Sequence, residues 1–404
     1  MKHLDDYRGI VSDEVLEAIR AKGRLLSHAT LAHVNATAFG GGVAEILDNL
    51  VLLMNDVGVE TDWRVLHGTP DFFEVTKKFH NALQGQDIRF SEKELDLYKF
   101  MSEKFSRFAS LQHDCVIIHD PQPLPLVHHV DHSAPWVWRC HIDMLHPNEE
   151  AWRVMEPFIL EYDRMVVSAN VYKRPDLEIS QQIIHPSIDP LSPKNMEIPK
   201  DTLESYLAGE KIPTDKPLIT QVSRFDPWKD PEGVLEVFRE VKKEVDCRLL
   251  FCYNLASDDP EGIRIYDRMW KTAKPYLERG EVLFVRGDDP ILVNAIQRHS
   301  SVILQKSTRE GFGLVVTEAL WKERPVVASN VGGIPAQIES GVNGFLVEPG
   351  DILGCAGRVV QLLRDKELAG QMGQRAKEVV REKFLITRHL LDILNLMVNL
   401  LNRP

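Results

Sequence analysis

Short apolar runs alternate along this chain with segments whose apolar residues recur at helical spacing, and the series is run through twice. Such alternation folds as a largely parallel sheet covered by helices on both faces. The first series predicts strands over 31–35, 62–67, 114–119, 136–141, 165–168 and 182–185, and helices over 43–54, 73–83, 92–108 and 149–162. Ser91 and Glu94 form a capping-box pattern for the third of these helices, and a short helix capped by Ser12, with Val15, Leu16 and Ile19 on one face, opens the chain. The second series predicts strands over 217–222, 248–252, 282–285, 301–305, 326–328 and 344–347, each followed by a helical segment.

Between the two series, prolines at 186, 190, 193, 199, 213 and 217 lie among polar residues, although 201–207 fits a short helix. At 404 residues the chain is long enough for two domains. The expected division is 1–190, a linker over 191–216, and 217–387, with a leucine-rich helix in 388–404 packing back on the first domain. The expected fold class is α/β, two doubly wound Rossmann-like domains facing each other across a cleft.

A net charge of −12 argues against a nucleic-acid partner, because a duplex-binding face needs clustered Lys and Arg. The five cysteines are scattered and sit mostly in apolar runs, which reads as reduced thiols in a cytoplasmic protein. The opening residues lack an apolar signal core, and no run approaches the length of a bilayer span, so no membrane partner is expected.

Five constellations carry candidate chemistry. Glu310-Gly-Phe-Gly-Leu-Val-Val-Thr-Glu318 sets two carboxylates around a Gly-x-Gly backbone at the mouth of a predicted helix. The N–H groups of a helix start favour an anionic oxygen, so the stretch suits a ligand with phosphate between two hydroxyl-bearing ends; a first-turn glutamate also simply suits the helix dipole. Ser223-Arg-Phe-Asp-Pro-Trp-Lys229 follows a strand and brings Arg224 and Lys229 to the end where open α/β sheets bind ligands, either as a diphosphate clamp or as an exposed basic loop. Gly40, Gly41 and Gly42 join a strand to a helix, as a phosphate approach or as a tight turn. Glu45 stands where a dinucleotide fingerprint needs its third glycine, which disfavours NAD. His141, in Trp138-Arg-Cys-His-Ile-Asp143, ends a strand as a hydrogen-bond donor, an acid–base group or a structural residue. Asp120 and Gln122, in His119-Asp-Pro-Gln-Pro123, suit sugar hydroxyls or an Asx turn. His128, His129, His132 and His146 lack helical pairing with an acid and read poorly as metal ligands, and Asp258-Asp259 and Asp288-Asp289 read as turn formers.

The set, in this order and context, resembles the retaining glycosyltransferases of family 4, whose GT-B fold binds a nucleotide sugar between two Rossmann-like domains. Within that family, His33-Val-Asn-Ala-Thr-Ala-Phe-Gly-Gly-Gly-Val-Ala-Glu45, Phe79-His-Asn-Ala-Leu-Gln-Gly85 and the segments around His119, His141 and Arg224 are similar to trehalose synthases that transfer glucose from a nucleoside diphosphate to free glucose. Trehalose phosphorylases carry similar segments. The resemblance implies that Arg224 and Lys229 hold the diphosphate, and that Glu310 with Gly311, Phe312 and Gly313 grips the glucose. It further implies that Glu318 accepts from the ribose, that His141 sits beside the anomeric centre, and that Gly40, Gly41 and Gly42 close on the donor. Asp120, Gln122 and Arg139 are assigned to the acceptor side. One departure from the pattern is Tyr253-Asn-Leu-Ala256, where a glycine often follows the strand.

The expected catalytic residues are therefore His141, Arg224, Lys229 and Glu310. The expected partners are nucleoside diphosphate glucose and glucose or trehalose, with UDP-glucose and ADP-glucose both open, and a homodimer is left open. No cofactor and no protein-bound metal are expected, Mg²⁺ being at most stimulatory. A phosphorylase using glucose 1-phosphate and a non-catalytic nucleotide-sugar sensor are the rival readings.

Overall fold

The computed structural model describes residues 2–38, 41–254 and 260–401. The chain divides into two compact units, Met1–Ser187 with Lys383–Pro404, and Ile188–Glu382.

The first unit runs α1 (Asp13–Leu25), β1 (Thr30–Asn35), α2 (Gly42–Asp56), β2 (Glu60–Val65), α3 (Pro70–Leu83), α4 (Glu92–Ser106), β3 (Cys115–His119), β4 (Trp136–Cys140), α5 (Glu149–Ile159), β5 (Arg164–Val167) and β6 (Gln181–Ile183). Its strands form one sheet in the order β2-β1-β3-β4-β5-β6, with every neighbouring pair parallel. All five residues of β3 and of β4 are buried, as strands covered on both faces must be. The Ser91–Glu94 capping box forms as expected. Ser12 occupies the cap position of α1, but its side chain makes no capping bond, and α1 runs on to Leu25. β2 stops at Val65 and β4 at Cys140, so His67 and His141 lie just beyond their strands.

The second unit contains α6 (Lys200–Gly209), β7 (Leu218–Arg224), α7 (Pro231–Lys242), β8 (Arg248–Asn254), α8 (Pro260–Leu277), β9 (Val282–Arg286), α9 (Pro290–His299), β10 (Val302–Gln305), α10 (Leu314–Trp321), β11 (Val326–Ser329), β12 (Phe345–Val347), α11 (Ile352–Arg364) and α12 (Lys366–Lys383). Its sheet has the order β12-β11-β10-β7-β8-β9, also parallel throughout. Asp289 caps α9, accepting from the N–H groups of Ile291 and Leu292, which is the turn-forming role expected of it. Asp258 and Asp259 lie outside the described residues, as do Leu255 and Ala256 of the departing loop.

The final helix, α13 (Ile386–Leu400), belongs to the first unit and packs on α1 and α2 through an apolar face that includes Leu390, Ile393, Leu394 and Met397. Residues 191–216, expected as a linker, are instead folded into the second unit. Leu207 and Ile212 are buried there, α6 packs on α9, and Asn294 Nδ2 donates to the carbonyls of Pro193 (2.9 Å) and Met196 (2.8 Å). The prolines end helices there but leave enough apolar residues to seat the segment on a core.

Candidate active site

In the second sheet β7 and β10 are neighbours, and the strand order runs outward from them in both directions. Connections leaving such a pair diverge to opposite faces, so a crevice opens beyond their carboxyl ends. Arg224 ends β7, Lys229 closes the short 3-10 turn that follows, and Glu310 lies five residues past β10. Strand alternation turns Phe225 inward, 3% exposed and stacked 5.8 Å from Phe284, while Arg224 points to solvent. Asp226 Oδ1 accepts from the Trp228 N–H (2.8 Å), and the Trp228 carbonyl accepts from the Thr308 N–H (2.8 Å), tying the two loops together.

Lys229 Nζ donates to Glu310 Oε2 at 2.5 Å, and the same oxygen accepts from Gln305 Nε2 (2.9 Å) and Ser307 Oγ (3.1 Å). An ammonium has three donors, so engagement with Glu310 leaves two for an anion. The Arg224 guanidinium, half exposed and held only at 3.4 Å by Asp226, keeps most of its fork for a phosphate. Beneath this turn Lys306 is wholly buried, with Nζ 4.0 Å from Asp230 Oδ2 and no hydrogen bond among the described residues.

Gly313 precedes α10 with φ +83°, a conformation that suits glycine, and a Cβ there would press on Glu310 Cγ at 3.2 Å. The backbone of Gly311 and Phe312 rests against Gly333, where a Cβ would lie 2.5 Å from the Gly311 carbonyl oxygen. Gln337 Nε2 donates to the Phe312 carbonyl (2.6 Å). The loop is thus fixed with the first N–H groups of α10 at its end. Glu318, in the second turn, is 3% exposed. Its Oε2 accepts from Gln297 Nε2 (2.9 Å), and Oε1 lies 3.6 Å from Lys194 Nζ. Burial pushes the neighbouring Lys322 down to about 7, against the attraction of Glu318. Glu310 thus engages Lys229, Gln305 and Ser307, while Glu318 engages Gln297 and faces Lys194.

In the first sheet the order reverses between β1 and β3. Gly41 follows β1 with φ +94°, so the turn into α2 itself calls for glycine; Gly42 begins α2, and Gly40 lies outside the described residues. Parallel register pairs His33 with Ile117 and His119 with Arg139. Because residues two apart share a face, His33, His119, Arg139 and His141 line one side of the sheet. They are in contact: His33 Nδ1 lies 2.9 Å from His119 Nε2, His119 Nδ1 lies 3.0 Å from His141 Nε2, and Arg139 Nε donates to His141 Nε2 at 3.2 Å. Burial and the Arg139 charge hold all three imidazoles below their usual range, His33 at about 3. Asp120, at φ +62°, accepts the His141 N–H through Oδ1 (2.7 Å), and burial pushes its carboxyl up to about 7.

Arg139, expected on the acceptor side, is 1% exposed and sits behind His141, bonded also to the Ile184 carbonyl (3.1 Å). Its place in a fully covered strand explains this, since only residues past the strand end reach the surface. Gln122 is half-buried in the turn after β3. Residues not singled out from sequence, His33, His119, Gln305, Ser307, Gly333 and Gln337, complete these arrangements. The signal for the first three was present as polar side chains inside otherwise apolar strands; Gly333 and Gln337 arrive from a distant loop that no local pattern links to Glu310.

The description "Trehalose synthase, N-terminal domain" fits residues 33–174, and "Glycosyl transferases group 1" fits residues 204–379. The sucrose-phosphate synthase of Thermosynechococcus elongatus superposes with a TM-score of 0.72 at 18% identity, covering 93% of this chain and 100% of that one. An α,α-trehalose-phosphate synthase from Burkholderia vietnamiensis gives 0.70 at 17%, covering 89% and 95%. Fold and site together define a GT-B glycosyltransferase with two Rossmann-like domains. A trehalose synthase from Thermococcus litoralis is 46% identical over 401 residues, 98% of this chain and 97% of the relative, and one from Rubrobacter xylanophilus is 42% identical over 413 residues, 99% and 97%. The chain belongs to the trehalose synthase family.

Proposed function

We propose that this protein is a retaining hexosyltransferase that moves glucose from a nucleoside diphosphate glucose to free glucose, giving trehalose and the nucleoside diphosphate, reversibly. The observation that carries the reading is the 46% identity to a trehalose synthase across 98% of the chain. In this reading Arg224 and Lys229 bind the diphosphate and stabilise the negative charge it gains as the C1–O bond breaks. Glu310, anchored by Lys229, Gln305 and Ser307, accepts from hydroxyls of the transferred glucose, with the Gly311–Gly313 backbone donating beside it. Glu318 accepts from the ribose, and His141 donates to the glucose. Asp120 and Gln122 serve the acceptor glucose.

A double displacement needs two carboxyl groups about 5 Å apart. Glu310 is engaged by Lys229, Gln305 and Ser307 and Glu318 by Gln297, so each carboxylate already serves as an acceptor, which favours attack from the leaving-group face. The acceptor oxygen bonds to C1 as the C1–O(phosphate) bond breaks, and the acceptor proton passes to a phosphate oxygen. Cationic side chains do the work at the diphosphate, so turnover is expected to need no protein-bound metal. The five cysteines are free and buried, which fits a reducing cytoplasm.

A trehalose phosphorylase from Pleurotus pulmonarius is 30% identical over 94% of this chain and 58% of its own length, which keeps glucose 1-phosphate as a rival donor. Incubation of the protein with glucose and, separately, UDP-glucose, ADP-glucose or glucose 1-phosphate decides. Trehalose from a nucleotide sugar alone supports the proposal; trehalose from glucose 1-phosphate alone replaces it with the phosphorylase.

A further inference from the structure

We infer that Arg139 is a positioning residue that locks His141 in the neutral tautomer bearing its proton on Nδ1, with His119 and His33 ordered in turn, so that His141 meets the sugar solely as a hydrogen-bond donor. The inference rests on the placing of His141 beside the transferred glucose.

Burial lowers Arg139 only to about 10, so its guanidinium is charged at neutral pH and Nε is a donor. Arg139 Nε lies 3.2 Å from His141 Nε2, which must therefore present its lone pair. His119 Nδ1 lies 3.0 Å from the same nitrogen; two lone pairs at that distance repel, so Nδ1 of His119 carries the proton. Neutral His119 then has a bare Nε2, and His33 Nδ1, 2.9 Å away, must donate to it. The relay ends on His33 Nε2, which has no partner among the described residues. One charged residue thus sets three tautomers in sequence.

For His141 the consequence is definite. With Nε2 occupied by two donors, its only remaining polar atom is Nδ1–H, and no described residue accepts from it. The Asp120 carboxylate holds the His141 backbone N–H at 2.7 Å, fixing where the ring leaves the chain. From α13 come His389 and Asp392, whose charges act on His141 and Arg139 respectively, and His389 Nδ1 donates to the carbonyl of His185, two residues past β6, at 2.9 Å. His141 then offers the substrate no basic nitrogen, and the acceptor proton has to leave through the phosphate.

The test is nitrogen NMR on protein labelled with ¹⁵N histidine, reading two-bond ¹H–¹⁵N couplings at neutral pH and assigning His141 by loss of its signals in His141→Ala. The expected pattern is a protonated Nδ1 and a bare Nε2; a protonated Nε2, or an imidazolium, overturns the lock. Arg139→Met should mix the His141 tautomers and lower kcat about tenfold, the worth of one hydrogen bond in the transition state, with KM little changed. Arg139→Gln, whose amide N–H replaces the Nε–H donor, should restore the tautomer and most of the lost kcat. An unchanged tautomer and kcat in Arg139→Met removes the lock. Turnover in His141→Ala judges the substrate role separately: undiminished turnover ends that reading whatever the tautomer.

Discussion

Lys229 and Glu310 are the residues on which the proposed chemistry turns, and their mutual bond makes each a support for the other. Lys229→Ala removes a cation from the leaving group and leaves the buried Glu310 carboxylate with one donor fewer, so kcat/KM is expected to fall about 10²–10³-fold or more. Steady-state kinetics check this, and near-normal turnover would remove the role. His33 gives a prediction in pH. In the folded protein it stays unprotonated to about pH 3, whereas unfolded it takes up a proton near 6.5. The unfolded state therefore binds more protons below 6.5, and stability falls as pH drops through that window. At pH 5 this costs about 2 kcal/mol for His33 alone. His33→Asn keeps the donor to His119 but cannot titrate, so its denaturation midpoint should fall less between pH 7.5 and 5 than that of the unaltered protein. At this scale the sequence showed which residue types mattered but could not show burial. Arg139 is assigned to the acceptor side from sequence because nothing in Trp-Arg-Cys-His reveals that its strand is covered on both faces.

At the scale of elements, the glycine loop before α10 is held by parts far along the chain. Gly333→Ala would set a Cβ 2.5 Å from the Gly311 carbonyl oxygen and 2.9 Å from Phe312 Cα, both backbone atoms with little room to move. A loss of about 1–3 kcal/mol is expected, read as a lower thermal midpoint, together with weaker donor binding because the loop shifts under Glu310. Unchanged melting and donor affinity would show that the loop adjusts freely. Strand periodicity located all twelve strands to within a few residues, because buried parallel strands leave compact apolar runs. The linker was misread for a related reason. Proline density reports where helices stop, while the seating of residues 191–216 depends on partners about a hundred residues away, such as Asn294 with Pro193 and Met196. The shared face of His33, His119, Arg139 and His141 likewise follows from sheet order and register, which the sequence alone leaves open.

For the molecule as a whole, the two sheets place their chemistry at their own switch points: Arg224, Lys229 and Glu310 at or past the ends of β7 and β10, the glycine turn past β1 and His119 at the end of β3. That pattern, with near-full-length identity to trehalose synthases, supports a transferase whose leaving group is stabilised by side-chain cations. Exhaustive treatment with EDTA should therefore leave turnover largely intact; complete loss restored by Mg²⁺ would contradict it. The central claim is transfer with retention to free glucose. It is tested most directly by incubating nucleoside diphosphate glucose, labelled with ¹³C at C1 of the sugar, with unlabelled glucose and reading the product by NMR. The account predicts α,α-trehalose carrying one labelled anomeric carbon, with nucleoside diphosphate released in equal amount. A β-linked product, or label appearing only in free glucose or glucose 1-phosphate, would contradict it.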